Sequence, residues 1–255
     1  MNNYEKLEGM VAATFTPLDE NGDVNLSVID KYADWIASTP IKGVFVCGTT
    51  GEFSSLTIDE RKLILEKWLV SARKRFKVIA HVGSNCQRSA MELARHAAQV
   101  GADAIASIAP SFFKPGTVDE LVDFFAPICH SAAGLPFYYY NMPSITGVNL
   151  PVDKFLVEGK KKIPNLVGTK FTHNNLMEMG VCIELEQHRF EVLHGYDEIL
   201  ISGLAMGAVA GVGSTYNYIP NVYQAIFDSM KMNDLETARH NQIKSIRTVE
   251  VIIKY

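Results

Sequence analysis

The sequence predicts an α/β fold: eight parallel strands, each followed by a helix, closed into a (β/α)8 barrel. Three observations predict it. Short apolar runs rich in β-branched and aromatic residues recur eight times, at intervals of about 20 to 35 residues, the spacing of strand–helix units. Runs such as Val44-Phe45-Val46-Cys47 and Leu135-Pro136-Phe137-Tyr138-Tyr139 are continuously apolar rather than alternating, as expected of strands covered on both faces. Helical patterns lie between them, and no low-complexity linker or charge run divides the chain.

Taken in order, the runs place strands at Met10–Thr16, Gly43–Cys47, Val78–Val82, Ala104–Ile108, Leu135–Tyr140, Leu166–Phe171, Phe190–Leu193 and Val209–Val212. Ile29, Tyr32, Ala33 and Ile36 recur at helical spacing and form one apolar stripe to lay on the sheet. Thr57-x-x-Glu60 and Thr117-x-x-Glu120 have capping-box spacing, in which side chains satisfy the free N–H groups of a helix start. Gly101 stops the helix that carries Leu93, Ala97 and Val100. Pro151 and Pro220 suit a first helical turn, where the missing N–H costs nothing. The barrel is expected over residues 1–232, its last covering helix being Asn221–Lys231. Residues 233–255 read as the start of a C-terminal helical extension. Its apolar pattern still runs at the last residue, which reads either as a helix cut short or as one that docks on a further element.

The 255 residues carry 24 Lys and Arg against 28 Asp and Glu, a net charge of −4, which leaves no electrostatic footprint for nucleic acid. Lys160-Lys161-Lys162, the densest basic run, suits a solvated helix end. Four scattered cysteines without CxxC spacing indicate neither a zinc ribbon nor a disulfide framework. The N-terminus has no apolar signal region. Ile199–Phe227 lacks Asp, Glu, Lys and Arg and is long enough to span a bilayer. Its glycines, its Asn and Gln side chains and a Tyr-Ile-Pro turn read instead as a buried helix, strand and helix. A soluble cytoplasmic protein with no membrane partner is the expectation.

In a parallel barrel, chemistry gathers on the loops at the C-terminal ends of the strands. After the second strand, Gly48-Thr49-Thr50-Gly51-Glu52 offers two hydroxyls and several backbone N–H groups, a cradle for a carboxylate or phosphate; a plain glycine-rich turn explains it equally well. The fifth strand ends in Tyr138-Tyr139-Tyr140-Asn141-Met142-Pro143, where alternation sends Tyr138 and Tyr140 one way and Tyr139 the other. One tyrosine at the mouth can move a proton; the other two suit barrel packing. Lys170 lies within the sixth strand, Leu166–Thr172. Desolvation of a lysine there favours a neutral, nucleophilic amine, whereas a strand-end position would let it reach solvent. The small Gly168 and the apolar run favour the reactive reading.

After the seventh strand, Asp197 and Glu198 follow His194-Gly195-Tyr196. They either open a helix, where acids are favoured, or accept hydrogen bonds from a polyhydroxylated ligand. The Gly213-Ser214-Thr215-Tyr216-Asn217 turn after the eighth strand suits a phosphate or a neutral polar ligand. His81, His173 and His194 at strand ends would make a zinc-dependent aldolase if they converged, but no pair has local ligand spacing, and His81 reads as a core hydrogen-bonder.

Taken together, Gly48-Thr49-Thr50-Gly51-Glu52, Tyr140-Asn141-Met142-Pro143, Lys170, Gly195-Tyr196-Asp197-Glu198 and Gly213-Ser214-Thr215-Tyr216-Asn217 resemble the N-acetylneuraminate lyases. These form a branch of the pyruvate-dependent class I aldolase superfamily that includes dihydrodipicolinate synthase, TIM barrels in fold. The resemblance covers essentially the whole chain. It implies a Schiff-base aldolase that reversibly cleaves N-acetylneuraminate to N-acetylmannosamine and pyruvate, with no cofactor and no metal. Lys170 would form the imine and Tyr140 would assist proton transfer. Thr49 and Thr50 would hold the pyruvyl carboxylate, and Thr172 would contact the hydroxyl at the cleaved carbon. Gly195, Asp197, Glu198 and Ser214 would bind the sugar chain. A homo-oligomer, a tetramer, is implied as well.

Two departures stand out. Ile145 falls in the loop where dihydrodipicolinate synthases carry a carboxylate-binding arginine, which weighs against that activity. Phe112 and Phe113 occupy the segment where the superfamily often has a proton-relaying tyrosine. The alternatives are a related pyruvate aldolase acting on another sugar acid, and an inactive barrel that binds pyruvate or a sugar acid.

Overall fold

A computed structural model describes residues 4–254 of the chain. Eight strands close into a parallel barrel in sequence order: β1 (Gly9–Ala13), β2 (Gly43–Val46), β3 (Lys77–His81), β4 (Ala104–Ile108), β5 (Phe137–Asn141), β6 (Leu166–Phe171), β7 (Glu191–His194) and β8 (Ala210–Gly213). Pairing of β1 with β8, from Gly9 opposite Ala210 to Ala12 opposite Gly213, completes the ring. The expected (β/α)8 fold is therefore the observed one. β4 and β6 have the expected limits, and the others differ by up to three residues at an end. The first strand stops at Ala13 because the next residues turn across the mouth, where the Thr16 hydroxyl donates to the Gly51 carbonyl at 2.7 Å.

The helices are α1 (Val28–Ala37), α2 (Ile58–Ala72), α3 (Gln87–Val100), α4 (Val118–His130), α5 (Pro143–Thr146), α6 (Val152–Lys162), α7 (Leu176–Glu184), α8 (Leu200–Ala205), α9 (Pro220–Lys231) and α10 (Leu235–Ile252). At α2 the capping box forms in full: the Thr57 side chain accepts from Glu60 N–H, and the Glu60 carboxylate accepts from Thr57 N–H. At α4 only half of it forms. Thr117 accepts from Glu120 N–H, but the Glu120 carboxylate turns to Gly116 N–H, one residue earlier. Gly101 ends α3 in the left-handed conformation at φ 82°, as a residue without Cβ can do cheaply. Pro151 is the residue before α6, while Pro220 opens α9. Of the three lysines ending α6, Lys161 and Lys162 pair with Glu158 and Asp123, while Lys160 folds back onto the carbonyls of Pro164 and Leu166.

Alternation along the strands divides the apolar side chains into two cores. The larger lies between sheet and helices and takes Trp68, Phe125, Tyr139 and Phe155; the smaller fills the barrel and takes Val11, Phe45, Tyr138 and Tyr140. Tyr139 thus points opposite to its neighbours, as expected. The uncharged 199–227 segment is divided among α8, β8 and α9, and no described helix is long and apolar enough to cross a membrane.

Candidate active site

β5 and β6 run in register with Tyr140 opposite Lys170. Lys170 is buried, only 4% exposed, and its Nζ lies 3.9 Å from the centroid of the Tyr140 ring and 4.7 Å from that of Phe45. Lys170 therefore turns inward and does not reach past the strand end into solvent. Two π-faces replace water around the Lys170 Nζ, and no carboxylate pairs with it among the described residues. The Tyr140 and Thr49 hydroxyls are 3.2 Å apart, and the Tyr140 hydroxyl also donates to the Met142 thioether at 3.1 Å. β2, β5 and β6 thus bring an amine and two hydroxyls to one mouth of the barrel.

The Gly48–Glu52 turn is bracketed by two non-glycine residues in the left-handed region, Cys47 at φ 54° and Glu52 at φ 55°. Such residues persist only where the surroundings hold them. At Cys47 the support is visible: His81 Nδ1 lies 2.8 Å from the Cys47 carbonyl oxygen. Gly51 is required by space, because a Cβ there would stand 3.0 Å from the Thr14 carbonyl oxygen. Thr50 is half-buried and makes no side-chain hydrogen bond among the described residues.

On the other side of Lys170, the Thr172 hydroxyl is buried without a partner. Gly195 allows this approach, since a Cβ on it would lie 1.9 Å from Thr172 Oγ1. Asp197 is buried across the β7 and β8 loops. Its Oδ2 accepts from the Thr215 N–H at 2.8 Å and hydroxyl at 2.6 Å, whereas Oδ1 has no partner. Burial pushes its carboxyl up to about 6, against the two bonds from Thr215 that favour the ionised form. Asp197 thus opens a short helical turn, as one of its two expected roles has it, and ties the two loops while Oδ1 keeps no partner. α10 supports it from behind: Gln242 donates to the Asp197 carbonyl at 3.0 Å and accepts from Ile201 N–H at 2.8 Å. Ser214 and Glu198 are half-buried neighbours on the same two loops.

The three rim histidines do not converge. Among the described residues no group of three or more His, Cys, Asp or Glu side chains could share a metal ion. His81 is buried in an aromatic cluster with Phe45, Phe53 and Tyr140, and desolvation holds its imidazole well below the usual range. His194 is packed so tightly on Gly203 that a Cβ there would lie 2.5 Å from its ring. Tyr138, the other inward tyrosine of β5, is at the floor of the barrel, where it donates to Glu191 Oε2 at 3.0 Å. Sequence reasoning missed Thr215 and Arg61. Thr215 gave no signal beyond its motif. Arg61 did, because it falls on the same helical stripe as Ile64, Leu65 and Trp68, an unusual place for a charge.

Known proteins resemble the chain along nearly its whole length. The mouse N-acetylneuraminate lyase is 42% identical over 253 residues, 98% of this chain and 79% of that protein. The chicken N-acetylneuraminate lyase is 43% identical, covering 100% of this chain and 83% of that one. Among solved structures, the N-acetylneuraminate lyase of Proteus mirabilis superposes with a TM-score of 0.96 at 35% identity, over 98% of this chain and 85% of that one. The sialic acid aldolase of Aliivibrio salmonicida gives 0.96 at 37% identity, over 98% and 83%. The dihydrodipicolinate synthetase family matches residues 6–254, nearly everything described here, and the chain belongs to that family.

Proposed function

We infer that this protein is a class I aldolase that reversibly cleaves N-acetylneuraminate to N-acetylmannosamine and pyruvate. The observation that carries the reading is Lys170: a buried primary amine, lodged between the Tyr140 and Phe45 rings within reach of the barrel mouth. Relatives above 40% identity along nearly the whole chain carry the lyase name, which supports the sugar acid as substrate. Ile145, where dihydrodipicolinate synthases carry an arginine, supports the lyase over that synthase.

In the cleavage direction the Lys170 amine adds to the C2 ketone of the open-chain sugar acid, and loss of water leaves a protonated imine. The C4 hydroxyl gives up its proton, with Tyr140 assisting, as the C3–C4 bond breaks. The bonding pair moves into the imine to form an enamine, and the aldehyde leaves. Protonation at C3 and hydrolysis then release pyruvate and the free amine. Thr49, Thr50 and nearby N–H groups hold the carboxylate, and the open Thr172 hydroxyl faces the C4 oxygen. Gly195, Asp197, Glu198 and Ser214 receive the hydroxylated chain, Asp197 through its free Oδ1. Two unpartnered buried polar atoms, Thr172 Oγ1 and Asp197 Oδ1, support these assignments, because each lacks the hydrogen bond that a ligand would supply.

Incubation with N-acetylneuraminate and chromatography of the products tests the reading. Equal amounts of N-acetylmannosamine and pyruvate are expected from the wild type and neither from Lys170→Ala. Cleavage of a different sugar acid alone would move the substrate, and unchanged cleavage by the variant would remove Lys170 from the chemistry. A homo-oligomer accompanies this reading, supported by the exposed Phe112–Phe113 pair at the rim; light scattering after gel filtration measures it.

A further inference from the structure

Arg61, on the first turn of α2, is buried to 4% exposure, yet no carboxylate pairs with it among the described residues. Its Nη1 donates to the Gly83 carbonyl at 2.9 Å and its Nη2 to the His81 carbonyl at 2.7 Å, while its Nε has no partner. Its guanidinium carbon stands 5.4 Å from the Phe53 ring centroid. Arg61, Cys47 and His81 line one small internal cavity. Cys47 and Phe53 are the residues on either side of the Gly48–Glu52 turn. An unpaired buried cation is costly, and a protein keeps one where its charge or its fork of donors has a use. Burial pushes the guanidinium down to about 10, so it remains a cation at neutral pH.

The connections lead to the cradle. Arg61 clasps the carbonyl of His81; the His81 ring meets the carbonyl of Cys47; and Cys47, left-handed at φ 54°, turns the chain into Gly48-Thr49-Thr50. The cradle itself holds hydroxyls and N–H groups but no positive side chain. We propose that Arg61 is a positioning residue that gives this cradle its preference for a carboxylate: its clasp of the His81 and Gly83 carbonyls fixes the cation behind Cys47, where it favours the negative end of pyruvate. The inference rests on the reading of Lys170 as imine-forming and of Thr49–Thr50 as the carboxylate cradle.

Borohydride trapping with two ketones separates the possibilities. Pyruvate and pyruvamide present the same carbonyl to Lys170, but only pyruvate carries a charge. Half-saturating concentrations for the trapped adduct are measured by intact mass for wild type, Arg61→Lys, Arg61→Gln and Arg61→Met. Met follows the buried path without a charge and serves as the neutral variant should Gln fail to fold. In the neutral variants pyruvate should need about tenfold more ligand, the effect of one charge acting through a low-dielectric interior. Pyruvamide should stay within about twofold of wild type, and Arg61→Lys should keep most of the pyruvate preference. Equal weakening of both ketones would show a merely structural arginine and overturn the proposal, as would no change in either. A wild type that traps neither ketone would overturn the Lys170 reading and this inference with it. A wild type that traps both equally would overturn the charged-cradle inference alone.

Discussion

Tyr138 and Tyr140 leave the same strand on the same face, two residues apart, and meet opposite fates. At the floor, Tyr138 is saturated. It donates to Glu191, shares a hydrogen bond with Tyr4, and sits over a carboxylate that also receives the Leu7 N–H. At the mouth, Tyr140 stands beside a buried amine, and the polar atoms across from it, Thr172 Oγ1 and Asp197 Oδ1, have no partners. One end of the barrel spends its polar groups on closing the fold. The other leaves two of them, Thr172 Oγ1 and Asp197 Oδ1, without a partner. The division follows from topology: parallel strands send all their C-terminal loops to one end, where they can vary without disturbing the sheet.

Lys170 carries the largest expected effect. Lys170→Ala should lower turnover by at least about a thousandfold while leaving the melting curve near wild type, because it removes the reacting group from the open end. Steady-state kinetics beside calorimetry checks both halves. The mirror experiment is Glu191→Ala at the floor. Orphaning the Leu7 N–H and leaving the Tyr138 hydroxyl with Tyr4 alone should cost about 1–3 kcal/mol of stability, with turnover per folded molecule intact. Denaturant unfolding and active-site titration would show this; loss of turnover at full stability would contradict the division.

Asp197 gives one oxygen to Thr215 and leaves the other without a partner, and its burial should show in pH dependence. Its folded value, about 6, exceeds the ordinary 3.8, so burial carries no ionic penalty below about pH 4. The penalty then grows as pH rises to about 6 and stays constant above it, on the order of 2–3 kcal/mol. His81 and His194, held below the usual imidazole range, act in the opposite sense over part of that window, gaining stability as pH rises. The Tm difference between Asp197→Asn and wild type cancels the histidines. It should grow in favour of the variant from pH 4 to 6, while KM for the sugar acid rises. A flat difference would mean that Asp197 stays solvated. The smallest effect is at Thr172→Val, where stability should hold or rise by up to about 1 kcal/mol, since a buried hydroxyl without a partner is removed, yet turnover should fall.

Most of the barrel was legible because β/α periodicity is written in runs of apolar residues, and Ala104–Ile108 and Leu166–Phe171 match their expected limits. The register that sets Tyr140 opposite Lys170 is not written locally, since it depends on how two strands some thirty residues apart align. Nor could the sequence show that one oxygen of Asp197 is taken by Thr215, a contact across two loops. The half-formed box at Thr117 differs from the full one at Thr57 because the Glu120 carboxylate reaches the Gly116 N–H instead. Arg61 was legible on its helical stripe, but its meaning came only with the carbonyls that it clasps.

One measurement meets the chemistry of Lys170 directly. The protein is incubated with pyruvate, reduced with borohydride, digested and mapped by mass spectrometry. A single reduced adduct is expected, on the peptide containing Lys170, absent when Lys170 is alanine. An adduct on any other lysine, or none in protein that melts cooperatively, would contradict it.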